Sequence, residues 1–207
     1  MTAMILIESM ICPPVPVLAD MAHNNTIVLE RHEHYQKRSF RNRIYLKTAQ
    51  GISLFTIPLQ KGKNNKSPIL DTQISYEEDW VFQLSKVLLT NYGSAPFYHD
   101  YVDALLDILN NKEGSLYLLN KKLLAWIMES IGITLSITES DTYQKSVKEP
   151  IIDRRGYYLP HASFFSSKEY TTYPQVHMKQ AGFCGGLSIL DLLFSCGPES
   201  ISYLKET

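Results

Sequence analysis

"MILIESMICPPVPVLADMAHNNTIVLE", residues 4–30, is the stretch that decides the fold. MILIES (4–9) is a continuous apolar run without alternation, stopped by a proline-rich loop, and that is the pattern of a strand covered on both faces. NNTIVLE (24–30) is a second run of the same kind, and residues 17–23 between them read as a helical turn. Two buried strands joined in this way imply a parallel α/β core.

Outward from this core, residues 39–59 read as a β-hairpin. SFRNRIYLK alternates, with Phe40, Asn42, Ile44 and Leu46 on one face and Arg41, Arg43, Tyr45 and Lys47 on the other. TAQG supplies the turn, and ISLFTIPL returns with apolar residues on both faces. QKGKNNKSP (60–68) follows as a mobile polar loop.

The middle of the chain has helical spacing in three segments. DWVFQLSKVLLTNY places Trp80, Leu84, Val87 and Leu88 on one stripe, and PFYHDYVDALLDILNN does the same with Phe97, Tyr101, Leu105 and Ile108. SLYLLNKKLLAWIMESIGI runs from a Ser115 N-cap to a Gly132 stop. TLSITES (134–140) reads as a further strand, and 141–186 as a long irregular stretch rich in tyrosine. The chain closes on a helix capped by Ser188 and Asp191 and ended by Gly197-Pro198. The expected architecture is one α/β domain over 1–207: a mainly parallel core sheet, an appended β-hairpin and flanking helices.

Composition narrows the function classes. In 207 residues, 44% are hydrophobic and 20% charged, which is a globular balance. A net charge of −1 speaks against a dedicated nucleic-acid binder. The charge is uneven, since residues 31–47 hold six Lys/Arg against one Glu. Three cysteines without paired spacing make neither a disulfide framework nor a zinc motif. The apolar N-terminus lacks a basic leader and is broken by prolines, so it reads as strand plus loop, not as a signal peptide. No apolar run reaches the ~20 residues of a membrane span. A soluble, cytoplasmic protein is expected.

Candidate chemistry centres on HEHYQKRSFRNR, residues 32–43. Arg41 and Arg43, two apart on a strand, would project two planar guanidinium forks from one face, suited to a phosphate or carboxylate. The competing reading is the charged outer face of a half-exposed strand. Asn42 interrupts the apolar face, and a buried amide there is either structural glue or part of a site. His32 and His34 lack a third ligand, so no metal is expected. Cys12 reads as a small buried hydrophobe rather than a nucleophile. Ser188 and Asp191 read as helix caps. There is no Walker loop, no dinucleotide fingerprint and no nucleophile elbow, and no cofactor is expected.

Taken together, several stretches resemble the WbqC-like family of bacterial proteins, in the form of its Bacteroidetes members. HEHYQKRSFRNR is similar to that family's Y-x-K-x-x-x-R-N-R segment at Tyr35, Lys37, Arg41, Asn42 and Arg43. YPQVHMKQAGFCGGLSILDLLFSCGPE is similar to its C-terminal Y-x-Q, Leu-Ser-hydrophobic-hydrophobic-Asp and Gly-Pro. The chain departs from the pattern at Ile11 and Cys12, where aromatics are usual, at His177 in place of Phe, and at CGG in place of Pro-Asn. The resemblance implies a transferase of surface-polysaccharide (O-antigen) biosynthesis acting on a nucleotide-activated sugar, by acyl or aminoacyl transfer to a sugar amine. In that picture Lys37, Arg41 and Arg43 bind phosphate, and Tyr35 and Asn42 orient the substrate. Tyr173, Gln175 and Asp191 line the opposite wall, with Asp191 as the candidate general base. The partner would be a small anionic substrate. The rival expectation is a non-catalytic binding or scaffold protein of a polysaccharide cluster using the same anion site.

Overall fold

The structure is a computed structural model and describes residues 4–24, 26–60, 67–166 and 170–206. β1 (Met4–Glu8) and β2 (Thr26–Glu30) are parallel neighbours, with Ile5 opposite Ile27 and Glu8 opposite Glu30. The crossover is α1 (Val15–Ala22), which starts behind Pro14 and carries Pro16 in its first turn. Proline's fixed φ suits it to that place, where the missing N–H breaks no helical bond. β5 (Ser136–Glu139) adds beside β2 and β6 (Ile151–Asp153) beside β1, both parallel, giving the order β5-β2-β1-β6. The parallel core expected from MILIES and NNTIVLE is therefore present. β6 lies within the stretch expected to be irregular: three residues carry no periodicity, and pairing with β1 is what recruits them.

β3 (Arg43–Thr48) and β4 (Gly51–Thr56) form a separate antiparallel hairpin, turning at Ala49-Gln50 into Gly51, whose φ of +118° favours glycine. The strand begins at Arg43, not at Ser39. Residues 37–42 are turns, with Arg38 in the left-handed region at φ 58°. The alternation read from residue 39 therefore fails at its start, and Arg41 does not share a strand face with Arg43. It fails again at Lys47, which is wholly buried. The polar loop expected at 60–68 lies, over 61–66, outside the described residues.

α2 (Trp80–Tyr92), α3 (Tyr98–Asn110) and α4 (Leu116–Ser130) match the three helical segments. Asp79 caps α2 by accepting from Phe82 N at 3.1 Å, and Ser115 caps α4 by accepting from Leu118 N. Gly132, at φ +69°, follows α4. The α3 stripe is shifted by about one residue from the expected one: Tyr98, Val102, Leu105 and Leu109 are buried. Phe97 sits before the helix, where its N–H donates to Phe194 O, so Tyr98 takes the inward place and packs edge-on against Phe194.

Two short helical segments, α5 (Ala162–Phe165) and α6 (Met178–Ala181), interrupt the irregular stretch. α7 (Ile189–Cys196) is buried at all eight positions, and α8 (Ser200–Glu206) packs on α1. α7 touches α1, α3, α8 and β3. A helix with no solvated face in a soluble-sized core is one that other elements enclose on every side. Ser188 caps it, donating to Cys12 O at 3.0 Å and accepting from Leu190 N at 3.3 Å. Asp191 does not complete a capping box, because its carboxylate turns inward instead. Among the described residues, no helix is long and apolar enough to cross a membrane.

Candidate functional site

Each of the four parallel strands ends on an acid: Glu8 in β1, Glu30 in β2, Glu139 in β5 and Asp153 in β6. Parallel register puts these ends on one edge of the sheet, the edge at which open α/β sheets bind ligands. A cavity of about 530 Å³ opens there, lined by the segments that follow β2 (32–36), β5 (Tyr143, Lys145) and β6 (Asp153, Arg155, Gly156), together with Arg41. That size suits a small organic ligand.

The floor is a buried charge cluster. Arg41 is 1% exposed, and its guanidinium grips Glu33 with two hydrogen bonds, Nε to Oε1 at 2.9 Å and Nη2 to Oε2. Its remaining nitrogen, Nη1, lies 3.7 Å from Glu8 Oε1, an ion-pair contact without a hydrogen bond, and has no hydrogen-bond partner. Glu8 Oε2 accepts from Gly156 N at 3.0 Å. Glu30 accepts from His32 N, from the Ser140 hydroxyl and from Arg155 Nη1 at 2.9 Å, and Arg155 also forks onto Asp153. Arg155 in turn lies over the Tyr143 ring, 5.0 Å from its centre.

Two buried carboxylates, Glu8 and Glu33, thus face the wholly buried Arg41 guanidinium, while the buried Glu30 pairs with Arg155. Burial pushes the Glu33 carboxyl above its ordinary range; the Arg41 hydrogen bonds and charge pull it back without cancelling the effect, and Glu8 and Glu30 push it further up. Burial also opposes the charge on Arg41, but the Glu33 bonds and neighbouring carboxylates outweigh it and raise its pKa. The Tyr35 hydroxyl is pushed up by burial. The rim is of opposite character: His32, His34 and Lys145 are exposed and basic, and Tyr143 offers an exposed ring.

Of the residues expected from the sequence, Tyr35 and Arg41 line this cavity. Asn42 stands behind Tyr35, accepting from its hydroxyl at 3.0 Å and donating to Ile57 O at 2.9 Å, so the amide that broke the pattern is fully used as glue. Arg43 is half-buried and acts on Tyr35 only through charge, and Lys37 is exposed on the turn. The expected clamp of Arg41 with Arg43 on one strand face is not what the chain builds.

Tyr173, Gln175 and Asp191 do come together, but elsewhere. Asp191 is 0% exposed and accepts from Tyr92 OH at 2.8 Å, Tyr173 OH at 2.8 Å and Gln175 Nε2 at 2.9 Å. Burial pushes its pKa from 3.8 up to about 6 against the pull of those three donors and the Lys47 charge. None of the three lines the cavity at the strand ends, so they do not form its opposite wall. Cys12 is buried, with its thiol pushed up to about 12 by burial, as suits a packing residue. Among the described residues, no three His, Cys, Asp or Glu side chains are arranged to hold a metal ion.

The reading of the sequence missed Glu8, Glu30, Glu33, Tyr143, Lys145 and Arg155. A signal for the first two was present: both buried runs, MILIE and TIVLE, close on a glutamate, an uncommon place for an acid unless it is paired. For Tyr143 and Lys145, within an aperiodic stretch, there was none.

Two comparisons bear on this arrangement. The chain is 28% identical over 200 residues to "Uncharacterized protein Rv1507c" of Mycobacterium tuberculosis, covering 83% of this chain and 84% of that protein. No solved structure matches. The model of the WbqC-like protein family matches residues 9–155 and 160–203, which includes Glu30, Glu33 and Arg41, the cavity segments and the Asp191 network, and begins just after Glu8. The chain belongs to the WbqC-like protein family.

Proposed function

We propose that the cavity at the strand ends binds a nucleotide-activated sugar and that the protein is a transferase acting on it. The observation that carries this reading is Arg41 Nη1, a buried donor without a hydrogen-bond partner in the floor of a polar cavity. Such a donor calls for an acceptor oxygen from a ligand. The two halves of the site suit the two halves of such a molecule. The exposed Lys145 offers positive charge to a diphosphate and the exposed His32 and His34 offer ring N–H donors, with Lys37 and Arg43 adding to the field from the neighbouring turn. Glu33 and Asp153, the acids that line the cavity, offer acceptors to sugar hydroxyls or to an ammonium, and Tyr143 offers a ring face to the sugar or base.

Acyl or aminoacyl transfer to a sugar amine fits this division. The amine nitrogen forms a bond to the acyl carbon, the bond from that carbon to its carrier breaks, and the amine proton passes to a carboxylate. Glu33, whose proton affinity burial raises, stands where it could take that proton. A binding-only role is favoured by one observation, that Arg41 already engages both Glu33 oxygens.

Titration calorimetry with a UDP-hexosamine tests the site. Lys145 and Tyr143 are exposed, so Lys145→Ala and Tyr143→Ala leave the fold intact, and each is expected to weaken binding about tenfold, or ~1.4 kcal/mol. No binding to the parent chain, or unchanged affinity in both variants, refutes the assignment. Mass analysis after adding an acyl thioester separates the two roles: an acylated sugar nucleotide means transferase, and bound but unmodified nucleotide means binding alone.

A further inference from the structure

Lys47 is the least expected residue in the molecule. Strand alternation puts it on the charged face of the hairpin, yet it is 0% exposed. A buried ammonium normally has a carboxylate partner. Among the described residues, Lys47 makes no ion pair. Its Nζ is held by two backbone carbonyls, Gly182 O at 2.6 Å and Ala181 O at 3.3 Å, and the third contact is Cys184 Sγ at 2.8 Å. That distance is ordinary for N–H···O, but sulfur is the larger atom, so nitrogen and sulfur stand closer than a hydrogen bond to sulfur needs.

Cys184 is independently held in place. Its N–H donates to Gln175 Oε1 at 2.9 Å and its carbonyl accepts from Gln175 Nε2 at 2.8 Å, so one side-chain amide fixes both sides of the residue. The same Nε2 is anchored on Asp191. Gly185, next along, packs so closely on Tyr170 that an added Cβ would stand 2.0 Å from its ring. Cys184 itself, unlike Cys12 and Cys196, is only partly buried.

We propose that Lys47 and Cys184 are a modification site, joined by peroxide into a covalent N–O–S bridge. The first peroxide oxidises the thiol: its O–O bond breaks, an S–O bond forms, and one water leaves with the sulfenic acid as product. The second oxidises the nitrogen: an N–O bond forms from Lys47 Nζ to the sulfenyl oxygen, and two further waters leave. Overall one amine, one thiol and two peroxides give the bridge and three waters. A direct S–N bond would require the two atoms to close most of the gap between them, whereas an interposed oxygen spans it. The bridge ties β3 to the loop before α7 across 137 residues of chain, and this site is separate from the cavity at the strand ends.

The experiment is peptide mass analysis of the reduced full chain after treatment with hydrogen peroxide. The expected product is the Lys47 and Cys184 peptides joined, heavier than their sum by one oxygen and lighter by two hydrogens, and released by dithiothreitol. It is lost in Cys184→Ser, which keeps the shape of the loop, and in Lys47→Met, which keeps the volume of the buried side chain. Cys184 oxygenated without a cross-link, a joined pair lacking the oxygen, or a bridge that persists in Lys47→Met overturns the proposal.

Discussion

Asp191 shows how one buried carboxylate can carry both structure and a pH response. Its oxygens collect Tyr92 from α2 and Tyr173 and Gln175 from the segment before α6, and Lys47 acts on it through charge. Burial raises its pKa from 3.8 to about 6, so the folded state holds this proton more tightly than the unfolded state. The stability this group contributes is therefore full below about pH 4 and is lost as pH rises through about 6, a fall of up to about 3 kcal/mol for a shift of that size. Asp191→Asn, which cannot titrate, is expected to flatten that part of the curve in urea melts taken from pH 4 to 7. A parent and a variant that lose stability in parallel would show that Asp191 is not the group responsible. At Arg41 the sequence marked an important position but not its task. A local count of charges includes Glu33 but cannot see that it grips Arg41 with both oxygens, nor that Glu8 reaches the same guanidinium from β1.

At the level of elements, the longer the periodic signal, the better it survived. α2 and α4 carry three to four turns each and keep the expected buried stripe, and α4 keeps its expected Ser115 cap. α3 kept its length and changed its inward face by a residue, because Phe194 on a distant helix decides which aromatic packs inward. The hairpin kept its turn and lost its first four residues to a turn segment that carries Arg41 into the core. Ser188 joins two elements, since its hydroxyl caps α7 and donates to Cys12 O in the loop after β1. Ser188→Ala removes the cap and leaves that carbonyl without its donor, and the expected cost is about 1–2 kcal/mol. Chemical denaturation reads it directly, with Ser188→Thr restoring most of the loss. An alanine variant as stable as the parent would mean the cap is dispensable.

For the molecule as a whole, the buried apolar side chains form one continuous cluster running from β1 and α1 through the hairpin and α2–α4 to α7 and α8. Packed against α1, α3, α8 and β3 at once, α7 ties the first part of the chain to the last. Unfolding is expected to be a single transition, with the fluorescence of Trp80 and Trp126 and the far-ultraviolet dichroism coinciding along a urea titration. Two separated transitions would divide the chain into independent units. The α/β class, the parallel core, three of the helices and the importance of the 35–43 segment were already written in the sequence, because uninterrupted apolar runs, helical spacing and turn residues act over neighbouring positions. Only the tertiary structure decided that four strand ends bring their acids to one edge, that Arg41 is neutralised from below, that Asp191 is enclosed rather than exposed in a cavity, and that Lys47 meets Cys184. Each of those depends on residues tens to more than a hundred positions apart, and long-range pairing of charge and hydrogen bonds leaves no period in the chain for a reader to find.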